Sequence, residues 1–178
     1  MSKSHSILLY SLIIITAAAT RILPHAWNFA PVTAIAIVAA IYLPVRQALF
    51  LTLAVRLVSD VIIGFFAWPL MLAVYAAHLF GVLTGLWIRR NKSFGRIIAA
   101  PVVSSLVFFL VTNFAFFYPT YTHDISGVIL AYTNGLPFLR GTLLGDVGYT
   151  IVFVASFEAV RFYLRHRAAC ARPGFKIA

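Results

Sequence analysis

Few residues of this chain could carry out chemistry, and they do not form a recognisable catalytic set. Its four acidic residues are scattered along the sequence. It contains no HExxH, no GxSxG and no phosphate-cradling loop, which argues against an ATPase or a common hydrolase. The single cysteine, Cys170, excludes an internal disulfide and a thiolate metal cluster. We therefore expect no enzyme activity, no metal and no cofactor.

Ionisable residues inside apolar segments carry more information. An Arg or Asp at the centre of a membrane helix costs about 2.5 to 3.5 kcal/mol, so each needs a partner or a role. Arg56 and Asp60 are four residues apart, on one helix face, where they can pair. Asp146 lies near the start of another apolar segment, and Arg140 precedes it. One alternative is that Arg56 with Asp60, and Asp146 with Arg140, form structural ion pairs that hold the helices together.

Polar residues from several apolar segments fall at a similar depth, near one face of the membrane. Such convergence predicts a substrate-binding pocket that opens to that face. The candidate pocket residues are His25, Asn28, Asp60, Trp68, Tyr75, His78, Asn113 and Arg140.

The elements that would position these residues are membrane helices. Hydrophobic residues make up 62% of the chain and charged residues only 10%, against about 25% charged in soluble domains. We predict an all-α fold, a single transmembrane domain over 1–178 with about six helices and a basic tail over 164–178. The expected spans are 6–23, 32–44, 46–66, 69–88, 97–118 and 143–163. The first segment also resembles a cleavable signal peptide, which remains an alternative.

The basic residues predict the orientation. The net charge of +10 indicates topology rather than nucleic-acid binding, since eleven basic residues fall on one side and two on the other. With the N-terminus inside, the first group is Lys3, Arg46, Arg89, Arg90, Lys92, Arg96, Arg161, Arg165, Arg167, Arg172 and Lys176, and the second is Arg21 and Arg140. We predict a multi-pass protein of the bacterial inner membrane with both termini in the cytoplasm. The apolar outer connection, 119–142, is expected to pack over or into the outer mouth of the bundle.

Four stretches carry a family resemblance: RILPHAWNFAPVTAIAI at 21–37, SDVIIGF at 59–65, FFLVTNFAFF at 108–117 and GLPFLRGTLLGD at 135–146. They resemble a bacterial family of uncharacterised membrane proteins grouped with the S components of energy-coupling factor (ECF) vitamin transporters. The resemblance implies six helices, capture of a vitamin-like molecule from outside, and work with a coupling protein and two ATPases. The AxxxA docking pattern usual in the first helix of S components is not evident between Ile7 and Thr16.

Cobalamin is one possible substrate that this resemblance implies. The related solitary cobalamin transporters use a membrane cysteine as cobalt ligand, and this chain has none before position 170. His25 or His78 would then have to supply the axial nitrogen.

Three functions remain open at this stage. The first is a substrate-capture or transport subunit for a small molecule. The second is a structural or assembly membrane protein that binds a partner through its helices and no small ligand. The third is a membrane enzyme acting on a lipid or quinone, with Asp60 and His78 as its acid–base pair.

Overall fold

The computed structural model describes residues 15–17, 19–21 and 28–170, and their regular secondary structure is entirely helical. Residues 15–17 and 19–21 form an N-terminal helical segment. Five helices and one 3-10 turn follow: α1 (Val32–Tyr42), α2 (Val45–Ile63), α3 (Trp68–Arg90), α4 (Phe94–Thr112), the turn Ala115–Phe117, and α5 (Ile125–Cys170). The predicted all-α fold is thus confirmed for these residues.

Short connections make successive helices run in opposite directions, so the bundle has two distinct ends. The basic end contains Arg89, Arg90, Lys92 and Arg96, where α3 stops and α4 begins. The opposite end contains the start of α1 and α3 and the end of α2.

Three helices, α3, α4 and α5, are long and apolar enough to cross a membrane. Their outward side chains are large and apolar; Leu83, Leu110 and Val152, one from each helix, are all more than half exposed. Apolar side chains facing outward are expected where the surrounding medium is lipid rather than water. These features are compatible with a membrane protein.

The short helix α1 lies at the centre of the bundle. Its 11 residues span about 17 Å, too little to cross a hydrocarbon core of about 30 Å alone. Every residue from Val32 to Ile41 is buried, and α1 packs against α2, α3, α4 and α5. The predicted second span is therefore a core helix that other helices surround.

Small residues let α1 and α3 approach closely. Gly81 packs against Ala36, and Gly85 packs against Ala40. A Cβ on Gly85 would lie only 2.8 Å from the Cβ of Ala40, a separation at which the two helices would have to move apart. The small-xxx-small spacing of both pairs thus sets the distance between these helices.

The last helix, α5, differs from the prediction. The expected loop over 119–142 is helical from Ile125 onward and continuous with the expected sixth span. Its 46 residues extend for about 69 Å, more than twice the hydrocarbon thickness. Gly127, Gly135 and Pro137 favour a loop by local preference, but tertiary packing overrides them.

This first part of α5 packs along the end of α4. Ala131 and Gly135 are buried, and the Tyr132 hydroxyl donates to the Leu110 carbonyl at 2.8 Å. The rings of Tyr132 and Phe109 lie 5.7 Å apart. These contacts explain why a helix forms through a segment rich in turn residues.

We expect Gly85→Ala to lower the melting temperature of the detergent-purified protein, since the added methyl group forces α1 and α3 apart at a cost of about 1–3 kcal/mol. Gly148→Ala in α5 is the matched control, because nothing lies within 4 Å of a Cβ at that position. The control should melt at the wild-type temperature or slightly above it. Equal melting of both variants would contradict the close α1–α3 packing.

Asp124 caps the N-terminus of α5. The Asp124 carboxylate accepts hydrogen bonds from the Gly127 amide at 2.8 Å and from the hydroxyls of Thr122 and Ser126, an N-cap arrangement. These bonds, the Gly127 amide first, lower the pKa of Asp124 from 3.8 to about 2. The folded-state pKa is depressed, so the cap's contribution to stability is complete above the usual pKa and is lost as the pH falls towards 2.

Asp124→Ala should therefore accelerate hydrogen exchange of the first-turn amides of α5, measured at neutral pH. Asp124→Asn retains a capping oxygen and should exchange close to wild type. Equal acceleration in both variants would show that charge, rather than the capping hydrogen bonds, protects this turn.

Candidate functional site

A buried carboxylate shared by two arginines forms the first part of the site. Asp60 Oδ2 accepts a hydrogen bond from Arg56 Nε at 2.8 Å, and Asp60 Oδ1 accepts one from Arg21 Nη1 at 3.0 Å. Arg21 also donates to the Ser59 hydroxyl. The predicted Arg56–Asp60 pair is confirmed, and Arg21 joins it from the N-terminal helical segment. Arg21, Arg56, Ser59 and Asp60 are called the arginine cluster below.

Aromatic rings enclose the Arg56 guanidinium. Its central carbon lies 5.6 Å from the ring centre of Phe66 and 5.7 Å from that of Tyr75, within the range of cation–π attraction. The Tyr75 hydroxyl is buried near Asp60 but makes no hydrogen bond of ordinary geometry in the described part of the chain. Tyr75 thus contributes chiefly its ring.

A second polar group connects three of the helices with the central helix α1. Ser105 of α4 donates to Asp146 Oδ2 of α5 at 2.7 Å. Thr33 of α1 contacts the same carboxyl group, and its hydroxyl lies 3.3 Å from Nδ1 of His78 in α3. The His78 ring packs against Phe108 at 4.9 Å. Thr33, His78, Ser105 and Asp146 are called the Asp146 cluster.

The two clusters line one cavity of about 290 Å³ in the half of the bundle near the opposite end. Asn28 lies at its edge in a left-handed conformation with φ of 58°, which asparagine tolerates better than most residues. The lining residues are Arg21, Asn28, Ala30, Val32, Thr33, Arg56, Ile63, His78, Phe108, Thr142 and Asp146.

A larger groove of about 480 Å³ lies between the N-terminal helical segment, α1, α2 and α5. Its described lining contains no charged side chain, and its polar atoms are a few hydroxyl groups; it includes Ile35, Val38, Leu51, Phe153 and Phe157. It therefore offers little for the selective recognition of a polar molecule, and the smaller cavity is the better candidate site.

The structure brings together only some of the predicted pocket residues. Asn28 and His78 line the cavity, Asp60 holds its two arginines, and Tyr75 packs against Arg56. His25 lies outside the described residues. Three others lie elsewhere: Trp68 is 70% exposed, Asn113 bonds to the Phe109 carbonyl and packs against Gly135, and Arg140 is exposed.

The alternative that Arg140 and Asp146 form an ion pair is wrong. Both residues belong to α5, where a separation of six residues places their side chains about 120° apart around the helix axis. Asp146 therefore points into the bundle while Arg140 points out. The pair requires Arg140 to lie in a non-helical connection, as expected for 119–142.

Sequence reasoning left Arg21, Thr33 and Thr142 out of the site. The position of Arg21 at the end of an expected span could have indicated its role, because the long side chain of an arginine there can reach back to a carboxylate in the bundle. Thr33 and Thr142 had none, since a threonine in an apolar helix commonly bonds to its own backbone, as Thr142 does with the Phe138 carbonyl.

Residues 1–169 match the model of DUF6580, a family of unknown function, and the chain belongs to that family. Neither the curated proteins nor the solved structures contain a match to the chain. The site must therefore be interpreted from its own chemistry.

We expect Asp60→Leu to destabilise the protein by about 3–5 kcal/mol, since it leaves two guanidinium groups in the bundle without their anion. Glu158→Gln is the control, because Glu158 pairs with Lys92 and Arg161 where its side chain is 46% exposed and such pairs contribute at most about 1 kcal/mol. Unfolding in detergent measures both changes. An Asp60→Leu loss no larger than that of the control would contradict the buried arrangement.

Proposed function

We propose that this protein is a membrane subunit that captures a small polar molecule from outside the cell for uptake. The observation that carries the proposal is the polar cavity, to which the N-terminal segment and all five α-helices contribute. The N-terminal segment and α1 to α5 supply, in order, Arg21, Thr33, Arg56, His78, Phe108 and Asp146.

A cavity lined by buried polar groups lowers the stability of the fold unless a ligand or water satisfies those groups. Buried polar groups need hydrogen-bond partners, and ionic groups inside a membrane protein usually mark pathways or binding sites. If these residues served only to hold the helices together, direct contacts without an open space of about 290 Å³ would suffice. Binding of a ligand accounts for both the polar lining and the space.

The basic residues support an outward-facing cavity. The positive-inside rule favours a cytoplasmic location for the basic end, and the cavity would then lie near the outer surface. A site that opens outward suits capture from the medium, as in the S components that the sequence resembles. On this proposal the substrate is vitamin-like, and a coupling protein with ATPases could drive its transport.

The size of the cavity favours small substrates. Ligand sites commonly have volumes of about 300–1,000 Å³, so this cavity lies at the lower end of the range. Cobalamin is a much larger molecule than a cavity of about 290 Å³ can enclose. We therefore favour a compound of low molecular mass over cobalamin.

The two alternatives receive less support from the geometry. The enzyme alternative needs Asp60 as acid or base, but both of its oxygens bond to arginines. No described contact favours a purely structural or assembly role, which predicts an empty cavity.

A cavity-filling variant tests the proposal. Thr142 lines the cavity, so Thr142→Leu should displace the ligand and abolish its uptake without breaking a contact between helices. Thr133→Leu is the matched control: Thr133 is exposed on the same helix, and its hydroxyl likewise bonds to the carbonyl four residues earlier. The measurement is mass spectrometry of compounds extracted from the purified proteins, with uptake in cells.

Wild type and Thr133→Leu should carry the same bound compound, which Thr142→Leu should lack. An empty wild-type protein with no uptake would favour the assembly role instead. Equal retention in all three proteins would place the ligand outside this cavity.

A further inference from the structure

The charges around the cavity do not cancel within the arginine cluster. Arg21 and Arg56 contribute two positive charges and Asp60 one negative charge, and Asp60 uses one oxygen for each arginine. One positive charge therefore remains uncompensated within the cluster. Both arginines line the cavity, so this charge faces the space where a ligand would bind.

Among the described residues, the two arginines also have hydrogen-bond donors with no partner. A guanidinium group has five N–H donors in a planar fork that matches carboxylate or phosphate oxygens. Arg56 donates to Asp60 through Nε, and Arg21 donates to it through Nη1. The remaining donors include those of Arg56, whose guanidinium lies against the rings of Phe66 and Tyr75.

Asp146 contributes to the charge balance from another part of the cavity wall. It is 2% exposed, and no cation lies within ion-pair distance of it among the described residues. Its described partners are the neutral hydroxyls of Ser105 and Thr33. The four charged residues around the cavity sum to zero when Asp146 is ionised and to +1 when it carries a proton.

We propose, on the basis of the proposed function, that the captured substrate is a small organic anion whose acidic group binds Arg21 and Arg56, while Asp146 carries a proton. The anion then cancels the charge that the arginine cluster leaves uncompensated. A neutral compound would leave that charge unmatched, and a cation would be repelled by it. Three other ionisable residues line the cavity with Asp146 and could also affect its protonation. They are His78, Arg21 and Arg56, each on a different element.

The test uses matched acids and amides on the full-length protein in detergent. The probes are acetate with acetamide, benzoate with benzamide, and nicotinate with nicotinamide, in each of which the amide has nearly the shape of the acid without its charge. Binding is measured by thermal shift and titration at neutral pH. At least one acid should bind, and its amide should bind on the order of 10- to 100-fold more weakly.

Two substitutions should act in opposite directions. Arg56→Gln should weaken acid binding by a similar factor, whereas Arg56→Lys should retain part of it because the charge remains. Asp146→Asn, which cannot ionise, should strengthen acid binding and weaken its dependence on pH. The opposite signs distinguish an electrostatic effect from a general loss of folding, and Arg21→Gln provides a second variant if Arg56→Gln does not fold.

The outcomes separate this inference from the function beneath it. A neutral or cationic compound bound in the wild-type cavity, or an amide that binds as tightly as its acid, would overturn the anion inference and leave the capture function intact. Weaker acid binding in Asp146→Asn would also overturn it. No acid binding and no extracted compound would overturn both.

Discussion

The shared carboxylate of Asp60 is the interaction on which the rest of the structure depends. Two guanidinium groups lie inside the bundle, and removing one partner of a buried ion pair typically costs about 3–5 kcal/mol. Because Arg21 comes from the N-terminal segment and Arg56 from α2, the same carboxylate also joins two elements. This arrangement places positive charge beside the cavity and keeps it there.

A row of small residues determines where the remaining polar groups meet. Thr33, Ala36 and Ala40 of α1 face His78, Gly81 and Gly85 of α3, with a constant offset of 45 residues. The two helices run in the same direction, so close contact at the glycines brings the Thr33 hydroxyl within reach of His78 at the end of the row. One helix–helix interface therefore determines both the apolar packing and the site geometry. A substitution at Gly85 that separates the helices should also lengthen the distance between Thr33 and His78.

Much of the fold follows from hydropathy, and less of the site does. The all-helical fold and the Arg56–Asp60 pair were predictable, because both depend on local sequence. Long apolar segments predict the helices, and an i,i+4 spacing predicts contact within one helix. The central position of α1 was not, because its short apolar sequence fits either a span or a core. Trp68, Asn113 and Arg140 share a predicted depth with the cavity but point elsewhere, and depth says nothing about helix rotation.

The continuous helix α5 shows why rotation matters for the chemistry. With Arg140 in a loop beside the cavity, Asp146 would have a nearby cation that keeps it ionised, and the five charged residues would sum to +1. With both residues on one helix, Arg140 turns outward, and the described contacts of Asp146 are neutral hydroxyls. When Asp146 carries a proton, the uncompensated charge of the arginine cluster has no fixed partner in the cavity wall. A mobile anion that enters from outside would provide that partner, and the proposed substrate class follows from this imbalance.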